Sequence, residues 1–147
     1  MISLEKLLIL KSVTLFKQVP DDLLLSMVTS IVKEKIVLPN ELVLKKNEIN
    51  STMYIIVSGR VKVHNDNLFI TELGEREIFG ELSALTSLPT VSSVSSITEC
   101  LFLTIQNNAL YELMNFENGL AKGIIQALCF RTQSVTLQIQ ELLNQRA

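Results

Sequence analysis

Histidine and cysteine are scarce: His64 is the single histidine, and Cys100 and Cys129 are the two cysteines, in a chain of 147 residues. A metal centre needs several converging imidazole, thiolate or carboxylate ligands, so no metal site is expected. The cysteines match neither a disulfide framework nor a metal clip and are read as reduced, buried thiols of a cytoplasmic protein. His64, beside "NDN", is expected to be a solvated turn residue. Nothing around the cysteines suggests a nucleophile's turn, so no catalytic residue is assigned and the chain is not expected to be an enzyme.

Basic charge is also in short supply. The 13 Lys and Arg face 15 Asp and Glu, for a formal charge of -2, and they are scattered along the chain. That excludes the electrostatic footprint of a nucleic-acid partner. No apolar run approaches the roughly 20 residues that span a bilayer, which argues against direct membrane insertion. The opening "MISLEKLLIL" is interrupted by Glu5 and Lys6 and lacks a small-residue cleavage site, so it is not read as a signal peptide.

Apolar residues, at 48% against 19% charged, are abundant. They imply one well-filled core and a single domain over 1–147. A mean hydropathy of +0.35 implies some apolar surface that a partner covers.

Residues 1–35 read as two short helices. Ser3 is the expected N-cap of the first, with Leu4, Leu7, Leu8 and Leu10 at helical spacing. Pro20 separates it from a second, in which Asp21 and Asp22 suit the positive end of the helix dipole and Leu24, Met27, Val28, Ile31 and Val32 form a stripe. Residues 36–105 carry short β-rich runs of period two, separated by turns such as Pro39-Asn40, Ser58-Gly59 and Leu73-Gly74, a pattern of sandwiches and rolled barrels. A Cβ at Gly59 or Gly74 is expected to strain its turn. Asn40, Asn47 and Asn50 suit left-handed turn positions. "TVSSVSS" reads as a half-exposed strand.

Residues 106–147 return to helix. Ala121, Ile125, Leu128, Val135, Ile139 and Leu142 follow a seven-residue repeat that Thr132 interrupts, and Leu120, Ile124 and Phe130 form a second stripe expected to face the β region. The first seam is open to three readings. Either it forms a homodimer, or it docks on other domains of a larger parent or on the protein's own β region.

The stretch "PNELVLKKNEINSTMYIIVSGRVKV" followed by "LGEREIFGELSAL" resembles the cyclic nucleotide-binding domain family, with "MYIIVSGRVKV" and "LGEREIFGEL" as the most specific pieces. The resemblance runs from about "LFKQVPDD" to the final helix. It implies a mainly β domain with flanking helices: a jelly-roll β-roll, or double-stranded β-helix, between N-terminal helices and a long C-terminal helix that caps the pocket or dimerises. It also implies a phosphate-binding cassette at "FGELSALTSLPTVSSV". Gly80 and the Leu82 amide stand where the family approaches an anionic ligand, and Glu81 where it holds the ribose 2'-hydroxyl.

The cassette departs from the family where Pro89 is followed by Thr90 and Val91 instead of by the arginine that pairs with the cyclic phosphate. Losing one partner of a buried ion pair costs about 2–5 kcal/mol, or roughly 30-fold to several thousand-fold in affinity. Thr90 offers one neutral hydroxyl in place of a charged fork. Cyclic AMP or cyclic GMP is therefore expected to bind weakly at most, unless Arg60, Arg76 or Arg131 folds in, and no other cofactor is expected. With no recognition helix before Ala147, DNA binding is not expected. The leading expectation is a non-catalytic regulatory, ligand-sensing module. The alternative is a structural or oligomerisation domain, or a fragment of a larger protein, that no longer binds a nucleotide.

Overall fold

The computed structural model describes residues 1–146. Helices α1 (Ser3–Ser12) and α2 (Asp21–Ser30), with a 3-10 turn at Thr14–Phe16 between them, precede the strands. These are β1 (Val32–Val37), β2 (Leu42–Leu44), β3 (Thr52–Ser58), β4 (Val61–Asn65), β5 (Leu68–Leu73), β6 (Ile78–Phe79), β7 (Ser93–Ser96) and β8 (Cys100–Gln106), with α3 (Glu81–Thr86) inserted between β6 and β7. Helices α4 (Asn107–Phe116) and α5 (Asn118–Gln145) follow. The strands form two antiparallel sheets, in the orders β1-β8-β3-β6 and β2-β7-β4-β5.

Successive side chains of a strand point to opposite faces, and in β3 and β8 both faces are covered. Met53, Ile55, Leu103 and Ile105 join a core shared with the helices, where Leu10, Phe16, Leu24, Met27, Leu110 and Leu120 are buried. Tyr54, Ile56, Cys100 and Phe102 point the other way, into the roll, to meet Leu44, Val61, Phe79 and Val94. There Tyr54 stacks on Phe79 at 4.9 Å, and Phe102 meets both rings edge-on. Burial pushes the Tyr54 hydroxyl and the Cys100 thiol above their ordinary pKa, so both stay neutral at pH 7.

The roll begins at Val32 instead of Ile36. Helix α2 stops at Ser30, and Val32, read from spacing as the end of a helical stripe, pairs with Ile105 in the sheet. Its β-branched side chain suits that place better than a last helical turn. Ser3 does not cap α1; Ile2 holds that position without a side-chain bond. Strand β7 is buried throughout, and its hydroxyls bond to the chain around them: Ser96 donates to Leu38 O and Ser93 accepts from the Lys46 amide. His64 is a strand residue, with Nδ1 at 3.1 Å from Asp66 O and Nε2 at 2.8 Å from Ser95 Oγ.

Helix α5 buries Leu120, Gly123, Ile124 and Ala127 and half-buries Leu128 against the helical core. The expected inner stripe ends there, because Phe130 is 67% exposed. Cys129 is exposed as well, contrary to its reading as a buried thiol. Of the heptad seam, Ile125, Val135, Ile139 and Leu142 are exposed, while Leu128 is committed to the protein's own core.

Asn40 and Asn47 adopt positive φ as their turns require, but Asn50 does not. The two turn glycines differ. Gly59 has φ +96°, and a Cβ there would lie 2.5 Å from Glu99 O and 2.8 Å from Cys100 Sγ, whereas nothing lies within 4 Å of one at Gly74. Gly59→Ala is therefore expected to lower unfolding stability by about 2 kcal/mol or more, through strain and collision. Gly74→Ala is expected to stay within about 0.5 kcal/mol of the native value, with urea unfolding as the measurement.

Candidate functional site

The segment "FGELSALTSLPTVSSV" leaves β6 at Gly80, turns through α3 and rejoins the sheet at β7. Gly80 sits at φ +79°, and a Cβ there would lie 2.8 Å from both Asn50 Nδ2 and Thr52 O. That crowding comes from a knot of bonds around Asn50. Its side-chain amide donates to Thr52 O at 2.6 Å and Gly80 O at 3.0 Å and accepts from the Thr52 N–H at 3.1 Å. Its backbone N–H donates to Ser83 Oγ, which in turn donates to Leu88 O at 2.6 Å. The N-cap of α3 and Ser83 in its first turn are thereby fastened to the residue just before β3, and Ser83 in turn holds Leu88 beyond the helix.

In α3 the Ala84 N–H bonds to Gly80 O. The amides of Glu81, Leu82 and Ser83 lie in the first turn, which has no intrahelical acceptors for them. The Leu82 side chain is exposed. Glu81 is 7% exposed, and its Oε1 accepts a bond from Arg131 Nη1 of α5 at 3.0 Å. Of the three arginines named from sequence, Arg131 reaches the cassette through this carboxylate. Arg60 pairs instead with Glu72 at 3.0 Å, and Arg76 forms a left-handed corner whose N–H bonds to Ile56 O.

At the opposite end, Thr90 is 8% exposed and bound to the β2–β3 connection on three sides. Its Oγ1 donates to Lys45 O at 2.7 Å, its N–H donates to Glu48 O at 2.9 Å, and its carbonyl accepts from the Asn47 N–H at 2.9 Å. Its hydroxyl is consumed holding the loop in place. Val91, next to it, is 81% exposed.

Between these ends lies a cavity of about 500 Å³. Leu44, Val63, Phe79, Leu88 and Val94 supply its apolar walls, and the cassette itself supplies the rest. Among the described residues Glu81 is the one ionisable residue lining it, so no cation lines this cavity at its Thr90 end. Gly80, Glu81, Leu82, Thr90 and Val91 thus border one concavity. Among the described residues no group of three or more His, Cys, Asp or Glu is placed to hold a metal ion, and no helix is long and apolar enough to cross a membrane.

A two-sheet antiparallel roll carries a glycine-led helical cassette over a concave pocket. Residues 34–116 match the Cyclic nucleotide-binding domain family, and the chain belongs to that family. It is 33% identical over 145 residues to the Potassium channel AKT2 of Oryza sativa subsp. japonica, covering 95% of this chain and 17% of the channel. Among solved structures, the N-terminal domain of a transcriptional regulator from Streptomyces coelicolor A3(2) aligns with a TM-score of 0.78 at 20% identity, over 89% of this chain and 94% of that one. The regulatory domain of Toxoplasma gondii PKA, crystallised with cAMP, aligns with a TM-score of 0.70 at 19% identity, over 76% of this chain and 44% of that one.

Sequence reasoning assigned Asn50 only a turn conformation and missed its role in fastening the cassette. The available signal was an amide side chain two residues before a buried strand, where Asn commonly bonds to the backbone two residues on. Asn50→Ala is expected to cost about 1–3 kcal/mol of stability, because buried backbone partners lose their bonds. Hydrogen exchange should speed up at the amides of 80–90 and stay unchanged in the β4–β5 hairpin.

Proposed function

We propose that this chain is a non-catalytic regulatory module in which the cyclic nucleotide pocket has lost its phosphate charge, so that cyclic AMP and cyclic GMP bind weakly or not at all. One observation carries the reading: no cation lines the Thr90 end of the cavity, and the Thr90 hydroxyl is turned away to Lys45 O. A cyclic phosphate entering there meets apolar wall and loses hydration without a charged partner. At the other end, the ribose must compete with Arg131 for Glu81. That ion pair is only partly shielded, with the Arg131 side chain 40% exposed, so breaking it costs about 1 kcal/mol. It adds to the missing arginine and does not replace it.

On this reading α5 is lid and relay. Its first half packs on the core, Arg131 ties it to the cassette, and its second half carries Val135, Ile139 and Leu142 into solvent. A ligand that draws Glu81 away from Arg131 biases the helix position. The chain spans 17% of the length of the rice channel, so the relay would act on other parts of a larger protein. The internal occupation of Glu81 also favours a second reading, a structural unit that senses no ligand.

Titration calorimetry with cyclic AMP and cyclic GMP tests the first reading. The native protein should give no micromolar binding, and Thr90→Arg should raise affinity by about 30-fold or more. Micromolar binding that disappears in Glu81→Ala would show the reading to be wrong. Sedimentation tests the seam separately. The native chain is expected to be dimeric, and Val135→Asp and Leu142→Asp monomeric without loss of fold, since both positions are exposed in the single chain. A native monomer removes the dimer.

A further inference from the structure

We propose that the cassette cavity takes an uncharged, largely apolar small molecule. This rests on the reading that the phosphate site is lost, and it names what the same cavity is built to hold instead. About 500 Å³ falls within the usual range for a small-molecule site.

The chemistry of the lining carries the assignment. The Ser83 hydroxyl donates to Leu88 O, that of Thr86 to Leu82 O and that of Thr90 to Lys45 O, while Glu81 is bonded to Arg131, which leaves the half-buried Ser92 hydroxyl and the first-turn amides of α3 as the polar groups a ligand can reach without breaking a bond. Among the described residues no buried side-chain nitrogen or oxygen is left without a partner. A ligand seeking the bonded side chains must first break a bond within the protein, and a buried polar group left unpaired is destabilising. An apolar ligand breaks none of them and displaces water from Leu44, Val63, Phe79 and Val94, which favours binding in proportion to the apolar area covered.

The mouth has the same character as the interior. Leu82, Leu88 and Val91 are all exposed beside the cavity, and they line it as well. A bound apolar molecule would cover three side chains that water now touches. A charged ligand would cover them too, but would lose hydration against them.

Fluorescence titration with N-phenyl-1-naphthylamine, an uncharged aromatic probe, tests the proposal. Saturable binding of one probe per chain is expected, unchanged by salt. Two variants should weaken it by about tenfold or more. Val63→Trp fills the cavity from a half-buried position, and Leu88→Glu charges the mouth from an exposed one that leaves folding intact. Leu137→Glu, on the exposed far half of α5, should leave binding unchanged. If Leu137→Glu loses the probe while the cassette variants keep it, the site is on the helix and the proposal is overturned. Cyclic AMP in the same assay separates the two claims. No saturable probe binding in a chain that also ignores cyclic AMP overturns the apolar-ligand proposal alone, whereas micromolar cyclic AMP that displaces the probe overturns both.

Discussion

Every other part of this molecule depends on β3 and β8 being buried on both faces. A strand sends alternate side chains to opposite sides, so one antiparallel pair can serve two cores at once. Met53, Ile55, Leu103 and Ile105 close the helical core, and Tyr54, Ile56 and Phe102 close the roll. A one-residue slip of register would exchange the two sets and place Tyr54 and Phe102 among the helices. Gly59 protects that register at one end of β3, since the chain there runs against Glu99 and Cys100 with no space for a side chain.

The cassette inherits its position from the same strand. Asn50, just before β3, fastens Gly80, Thr52 and Ser83, so the short helix α3 is held by a neighbouring connection and not by its own length. Six residues of helix are marginal alone, and tertiary contacts must supply the stability. The substitution at Thr90 fits this economy. Its hydroxyl and backbone bind the β2–β3 connection on three sides, so the position contributes order to the cassette.

What could be read from sequence follows from the range of the interactions involved. Strand periodicity, the glycine-led turn and the family motifs are local, and "MYIIVSGRVKV" with "LGEREIFGEL" sufficed for the roll. The start of β1 was misplaced because Ile31 and Val32 satisfy a helical stripe and a strand equally well. Phe130, Cys129, His64 and β7 depart from their expected surroundings for a common reason. Their burial depends on which body α5 or the β2 connection packs against, a long-range fact that periodicity does not encode. The Arg131–Glu81 pair joins residues far apart in sequence; one arginine in three reached the cassette, and composition offers no means of choosing among them.

The place of Arg131 along α5 gives that ion pair its meaning. Residues up to Leu128 are fixed by the helical core, and from Val135 onward the apolar residues face water. Arg131 lies at the changeover. A helix of 28 residues is about 42 Å long, so a small tilt where it leaves the body becomes a displacement of several ångströms at its far end. The core holds one side of that point, and among the described residues nothing packs on the apolar side chains beyond it, which leaves the Glu81 bond as a charged restraint on the tilt. Because Leu128 is used internally, the seam available to a partner starts beyond Thr132 and is shorter than three heptads. Such a seam is near the lower limit for a two-stranded pair. The direction in which the helix projects beyond Arg131 is what the Glu81 bond restrains.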